Sequence, residues 1–112
     1  MKKIFLYLDE FSMKRYMLQA SLESVGHKAT FYGDVTDALF FIKDVRPDMI
    51  IVDYDYIEKK FPAFFEDLAD PQIASITKAA FSQRERGQLL HADNFTTILE
   101  LPLTVQKVLE IV

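Results

Sequence analysis

Apolar and polar positions run along the chain in blocks whose period changes. Residues 3–8 (KIFLYL) are almost wholly apolar, as a strand covered on both faces should be, and the run stops at Asp9-Glu10. Across residues 12–25, Met13, Tyr16, Met17, Ala20 and Val25 approximate helical spacing, with Ser12 as a cap and Gly26 as a left-handed stop. Residues 28–32 (KATFY) predict a second strand, ended by Gly33-Asp34. A second helix follows over 36–45, carrying Ala38, Leu39, Phe41, Ile42 and Val45, and it must end before Pro47. Residues 48–52 (DMIIV) form the clearest buried strand, and it ends on Asp53. The stretch DYDYIEKK is polar and reads as a loop, after which Pro62 suits the first turn of a third helix running through Phe64, Phe65 and Leu68. Asp70-Pro71 closes that helix and introduces a fourth strand over 72–77 (QIASIT). A polar fourth helix is predicted over 82–91, with Arg84, Glu85 and Arg86 outward, then a fifth strand over 95–99 (FTTIL). Thr104 caps a last helix in which Val105, Val108, Leu109 and Val112 recur at i, i+3, i+4 and i+7. That helix meets no stop signal, so the chain is expected to be the N-terminal part of a longer protein.

Five strands alternating with five helices imply right-handed crossovers and an α/β fold, a doubly wound parallel sheet with helices on both faces; the expected order is the flavodoxin-like 2-1-3-4-5. At 112 residues the chain is the size of one domain. Its composition, 50% hydrophobic and 27% charged, excludes disorder. A net charge of −4 argues against a broad nucleic-acid footprint. The absence of Cys excludes a disulfide framework, a thiol nucleophile and a thiolate zinc site, and it is compatible with a cytoplasmic location. No apolar run approaches the roughly 20 residues that span a bilayer, and no membrane association is expected. His27 and His91 have no second His or Cys at metal spacing, and Gly26, Gly33 and Gly87 form no phosphate-binding loop.

In doubly wound sheets ligands sit beyond the carboxyl ends of the strands. Asp9 and Glu10 follow the first strand and Asp53 follows the third, so neighbouring strands would gather all three carboxylates. Such a cluster repels itself unless a hard cation neutralises it, and Mg2+ prefers a few oxygen ligands completed by water. An Asp beside Mg2+ is also a competent nucleophile toward phosphorus. Thr77, at the end of the predicted fourth strand, is placed to donate a hydrogen bond to a phosphoryl group.

Leu8-Asp9-Glu10, the segment Pro47-Asp48-Met49-Ile50-Ile51-Val52-Asp53, and Ile76-Thr77 together resemble a response regulator receiver domain of two-component signalling, over essentially the whole chain. The resemblance implies that Asp53 is the phospho-acceptor and Thr77 a phosphoryl-contacting hydroxyl. It implies that Asp9, Glu10 and Asp53, with the backbone carbonyl of Asp55, hold Mg2+. It also implies a histidine kinase or phosphotransfer protein as donor, a module that receives a group rather than an enzyme, and an α4-β5-α5 face that controls dimerisation or an output domain. The family's strand-five Lys before a Pro is missing: Leu101 precedes Pro102, and Ile98 is the other candidate for that position. Lys78 is the nearest substitute in sequence, but its side chain should point away from that of Thr77. Phe95 is the candidate for the family's aromatic switch, and Tyr56-Ile57 stand where Met-Pro is usual. Receivers lacking the Lys occur at the front of bacterial transcriptional activators. The alternative is a pseudo-receiver, the same fold serving as a phosphorylation-independent interaction or dimerisation domain.

Overall fold

A computed structural model describes residues 4–8, 13–100 and 104–110. Strands β1 (Ile4–Leu8), β2 (Lys28–Tyr32), β3 (Met49–Asp53), β4 (Thr77–Ser82) and β5 (Thr97–Glu100) form one sheet. All pairings are parallel and the order is β2-β1-β3-β4-β5, the doubly wound arrangement expected from the alternation of elements. The helices are α1 (Met13–Ser24), α2 (Val35–Val45), α3 (Tyr54–Lys60), α4 (Phe64–Leu68), α5 (Pro71–Ala74) and α6 (Val105–Glu110).

The central strand β3 divides the core by its two-residue period. Met49 and Ile51 join Leu18, Leu22, Ala29, Ala79, Phe81 and Leu99 on the side of α1 and α6. Ile50 and Val52 face the other way, into a larger cluster with Ala38, Ile42, Tyr54, Ile57, Phe64, Phe65 and Leu68. A strand covered by helices on both faces has no place for a polar side chain until its end, where Asp53 stands.

Local chemistry sets the element ends. Gly26 adopts φ of 91° after α1, and the His27 N–H donates to the Leu22 carbonyl. Helix α2 is capped by Asp34, whose carboxylate accepts from the Thr36 and Asp37 N–H groups. It ends before Pro47 as expected, but on Arg46 in the left-handed region, at φ of 53°. That conformation costs a non-glycine residue about 1–2 kcal/mol. It directs the Arg46 guanidinium to the Gln72 carbonyl and the Ser75 hydroxyl, tying α2 to α5. Thr104 accepts from the Lys107 N–H and caps α6, as its spacing predicts.

Between residues 54 and 95 the structure departs from the sequence-based expectation. The polar stretch after β3 is helix α3, because Asp53 caps it and Tyr54 and Ile57 bury one face. Asp70-Pro71 starts a helix as well as stopping one: the Asp70 carboxylate accepts from the Gln72 N–H, and Pro71 fits the first turn. The fourth strand consequently lies at Thr77–Ser82, five residues later than expected. Residues 82–91 do not form a helix; two short 3-10 turns, Arg86–Gln88 and Ala92–Asn94, fill the space before β5. Phe95 precedes β5 and is buried against Tyr54 and Phe65. It is a core ring rather than a strand-five residue.

Lys78 is only 4% exposed. Its stem runs beside Ile50, and its ammonium donates to the Ala74 and Ile76 carbonyls at the amino-terminal edge of the sheet. Burial pushes its pKa below the usual lysine value of 10.5. Between the lowered value and 10.5 the unfolded chain binds more protons than the folded one, so stability rises with pH across that window. Urea unfolding followed from pH 8 to pH 10 is expected to show this rise in the wild type and a flatter profile in Lys78→Met. An unchanged slope in the variant would show that the buried ammonium is not its source.

Candidate functional site

The carboxyl edge of the sheet gathers the polar chemistry. Leu8 is in register with Val52, Asp53 with Phe81, and Ser82 with Glu100. Asp53 is the last residue of β3 and the cap of α3, half-buried, with its carboxylate accepting from the Tyr56 N–H at 3.2 Å. Beyond Leu8 the sequence continues into Asp9 and Glu10, which lie outside the described residues. So does Leu101, one of the two candidates for the missing Lys position.

Asp55 is the second residue of α3 and is densely hydrogen-bonded. The Ser82 hydroxyl lies 2.9 and 3.1 Å from its two oxygens, and the Gln83 N–H donates at 3.2 Å. Arg84 adds Nε at 3.1 Å and Nη2 at 2.7 Å to the same oxygen, while Nη2 also reaches Glu58 at 2.9 Å. The guanidinium lies 5.6 Å from the centre of the Tyr54 ring. Burial by itself would raise the Asp55 pKa, but the hydrogen bonds from Arg84, Gln83 and Ser82 more than offset it and hold the carboxyl below its ordinary value. The Tyr54 hydroxyl accepts from the His91 N–H at 2.9 Å, and burial raises its pKa above 10.0.

Two expected roles do not fit these positions. Thr77 opens β4 rather than ending it and is in register with Met49, about 13 Å along the strand direction from Asp53. The hydroxyl at the carboxyl end of β4 belongs to Ser82, which is 1% exposed. The Asp55 carbonyl belongs to the first turn of a helix, where backbone carbonyls point along the axis toward the C-terminus, not to an open loop. Ile98 lies within β5, level with Ala80, and packs against the core. Lys78 is at the far edge of the sheet from Asp53, so no strand lysine among the described residues supplies a cation here. Arg84 places one on Asp55 and Glu58. A fourth strand over 72–77 leaves Arg84 on a solvated helix face, whereas the strand at Thr77–Ser82 brings it onto α3. The run Ala79-Ala80-Phe81, ending at Ser82, is the signal that locates it.

Asp53 brings a half-buried carboxylate to this edge, and Asp55 and Glu58 share one arginine. Among the described residues no cluster of three acidic, His or Cys side chains forms a metal cage. Also among them, no helix is long and apolar enough to cross a membrane.

No family model matches the sequence, and no curated protein matches it by sequence. Solved structures do match. A CheY-like response regulator receiver domain from Methylobacillus flagellatus superposes with a TM-score of 0.81 at 19% identity, covering 99% of this chain and 96% of that one. The receiver domain of the sensor histidine kinase PA1611 from Pseudomonas aeruginosa, with a magnesium ion coordinated in its active-site cleft, matches at 0.75 and 16% identity, covering 99% and 94%. The pseudo-receiver domain of the CikA protein matches at 0.69 and 20% identity, covering 96% and 92%. The chain therefore has the CheY-like receiver fold.

The Asp55–Arg84 pair is about one-third exposed on each side, so its coupling should be modest. A double-mutant cycle of Asp55→Asn and Arg84→Gln in urea unfolding is expected to give about 0.5–1 kcal/mol, decreasing at high salt. A coupling near zero at low salt would show that the pair is not held in solution.

Proposed function

We infer that the chain is a signalling receiver that accepts a phosphoryl group on Asp53. The observation that supports this best is Asp53 at the carboxyl end of the buried central strand, in register with Phe81 and next to the terminal Ser82 of β4. An Asp53 carboxylate oxygen would attack the phosphorus of a phosphohistidine on a kinase or phosphotransfer protein. The P–N bond breaks, and the departing imidazole takes up a proton. Mg2+ held by Asp53 with Asp9 and Glu10 would neutralise the charge spread over the transferred oxygens. Ser82 takes the role expected of Thr77: its hydroxyl, now donated to Asp55, would turn to a phosphoryl oxygen. Arg84 offers the cation that Leu101 and Ile98 do not. The incoming charge, about −1.5 to −2 by ordinary phosphate arithmetic, would compete with Asp55 for both donors. Their release from Asp55 would carry the signal into the segment between β4 and β5. On this reading the domain is the front part of a longer regulator, acts in the cytoplasm, and controls its own pairing or an output domain beyond Val112.

A second reading has its own support. The Asp55 carboxylate is already neutralised by Arg84, and the strand-five Lys is missing, as a phosphorylation-independent interaction domain would allow. Intact mass after incubation with a small phosphodonor separates the two. A gain of one phosphoryl group is expected with Mg2+, absent with EDTA and absent in Asp53→Asn. No gain with a small donor or with a phosphohistidine donor, in a folded protein, would overturn the acceptor reading and leave the scaffold one.

A further inference from the structure

Helix α2 and the carboxyl end of the edge strand β2 carry a feature that the Asp53 reading does not use. Asp37, Phe40, Phe41 and Asp44 recur at i, i+3, i+4 and i+7 and share one face of α2. With Tyr32 they line an open groove of about 500 Å³. Tyr32 and Phe41, with ring centres 5.5 Å apart, pack against the core and form an apolar base. Phe40 is 72% exposed, so its ring is offered to solvent rather than to the core. Asp37 and Asp44 stand seven residues apart on the helix, which separates them by about 10 Å along its axis. No basic residue lines the groove. An exposed aromatic face between two carboxylates is poor packing for water and good packing for a cation with an apolar stem. The ring face attracts the charge, the carboxylates pair with it, and Tyr32 and Phe41 cover the methylenes.

We propose that this groove binds an arginine-bearing basic segment of a partner polypeptide, with one guanidinium over Phe40 and the flanking positive charge on Asp37 and Asp44. The charge complementarity extends beyond the groove, because the whole chain carries a net charge of −4 and would steer a basic partner toward itself. Arginine fits better than lysine here, since its planar guanidinium stacks on an aromatic ring and pairs with a carboxylate at the same time. None of the groove residues is one that the phosphoryl-acceptor reading uses, so the proposal does not depend on phosphorylation of Asp53.

Fluorescence anisotropy of a labelled short peptide carrying two arginines three positions apart tests it on the full chain. Saturable binding is expected. It should weaken about fivefold in Phe40→Ala and about fivefold in the Asp37→Asn/Asp44→Asn double variant, and weaken further as salt is raised. Glu23→Gln, an exposed acid on α1, should leave it unchanged, and circular dichroism should show every variant folded. Binding that is absent, or that survives both groove variants, would overturn the proposal. So would a concentration-dependent dimer that Phe40→Ala abolishes, because a second copy would then be the occupant.

Discussion

Burial of β3 on both faces is the constraint on which the other features rest. Ile50, Ile51 and Val52 are almost fully inaccessible, and their alternation assigns α1 and α6 to one side and α2 to α5 to the other. Shifting the strand by one residue would exchange the two clusters, so its register is held by most of the apolar surface the chain buries. The position of Asp53 follows from this. It is the first place on the central strand where a carboxylate can meet water, and it also satisfies the first turn of α3.

On the segment of α3 that follows Asp53, the carboxylates are met by an arginine rather than by a strand lysine. Arg84 binds Asp55 and Glu58 together and lies against Tyr54, while Ser82 and Gln83 complete the shell of Asp55. This places the cation on the segment after β4, two residues from the hydroxyl that would contact a phosphoryl group. On the proposed reading, charge arriving at Asp53 would be coupled to movement of that segment through the same two donors. The segment itself is built of short 3-10 turns and carries the exposed Leu90, so rearranging it disturbs less hydrogen-bonded helix than a full helix would.

The parts of the fold legible in the sequence are those whose signals are local and unambiguous. Strands with near-continuous apolar runs, such as residues 48–52, and helices with clear stops, such as the one ending before Pro47, fall where their patterns put them. Alternation calls for a parallel, doubly wound sheet, and the observed order is the flavodoxin-like one. Misreadings cluster after Asp53, where two signals have double meanings. Asp70-Pro71 both ends and begins helices. In the stretch after β3 a polar surface hides Tyr54 and Ile57, whose three-residue spacing marks a buried face. Ile57 stands where the resembled family usually has Pro, so nothing prevents the helix from starting at Tyr54. A fourth strand read over 72–77 gives Thr77 the edge that Ser82 occupies and leaves Arg84 to solvent. Asp53 is legible because it ends the best-marked strand; its neighbours become legible only with the register of β4.

Nuclear magnetic resonance of the backbone amides, with Mg2+ and beryllofluoride as a phosphoryl mimic, tests the central claim most directly. The account predicts the largest shifts at Asp53, Ser82, Gln83 and Arg84, spreading into residues 85–95, with Thr77 and Lys78 at the opposite edge unmoved. A spectrum that does not change, or one whose shifts centre on Thr77, would contradict it.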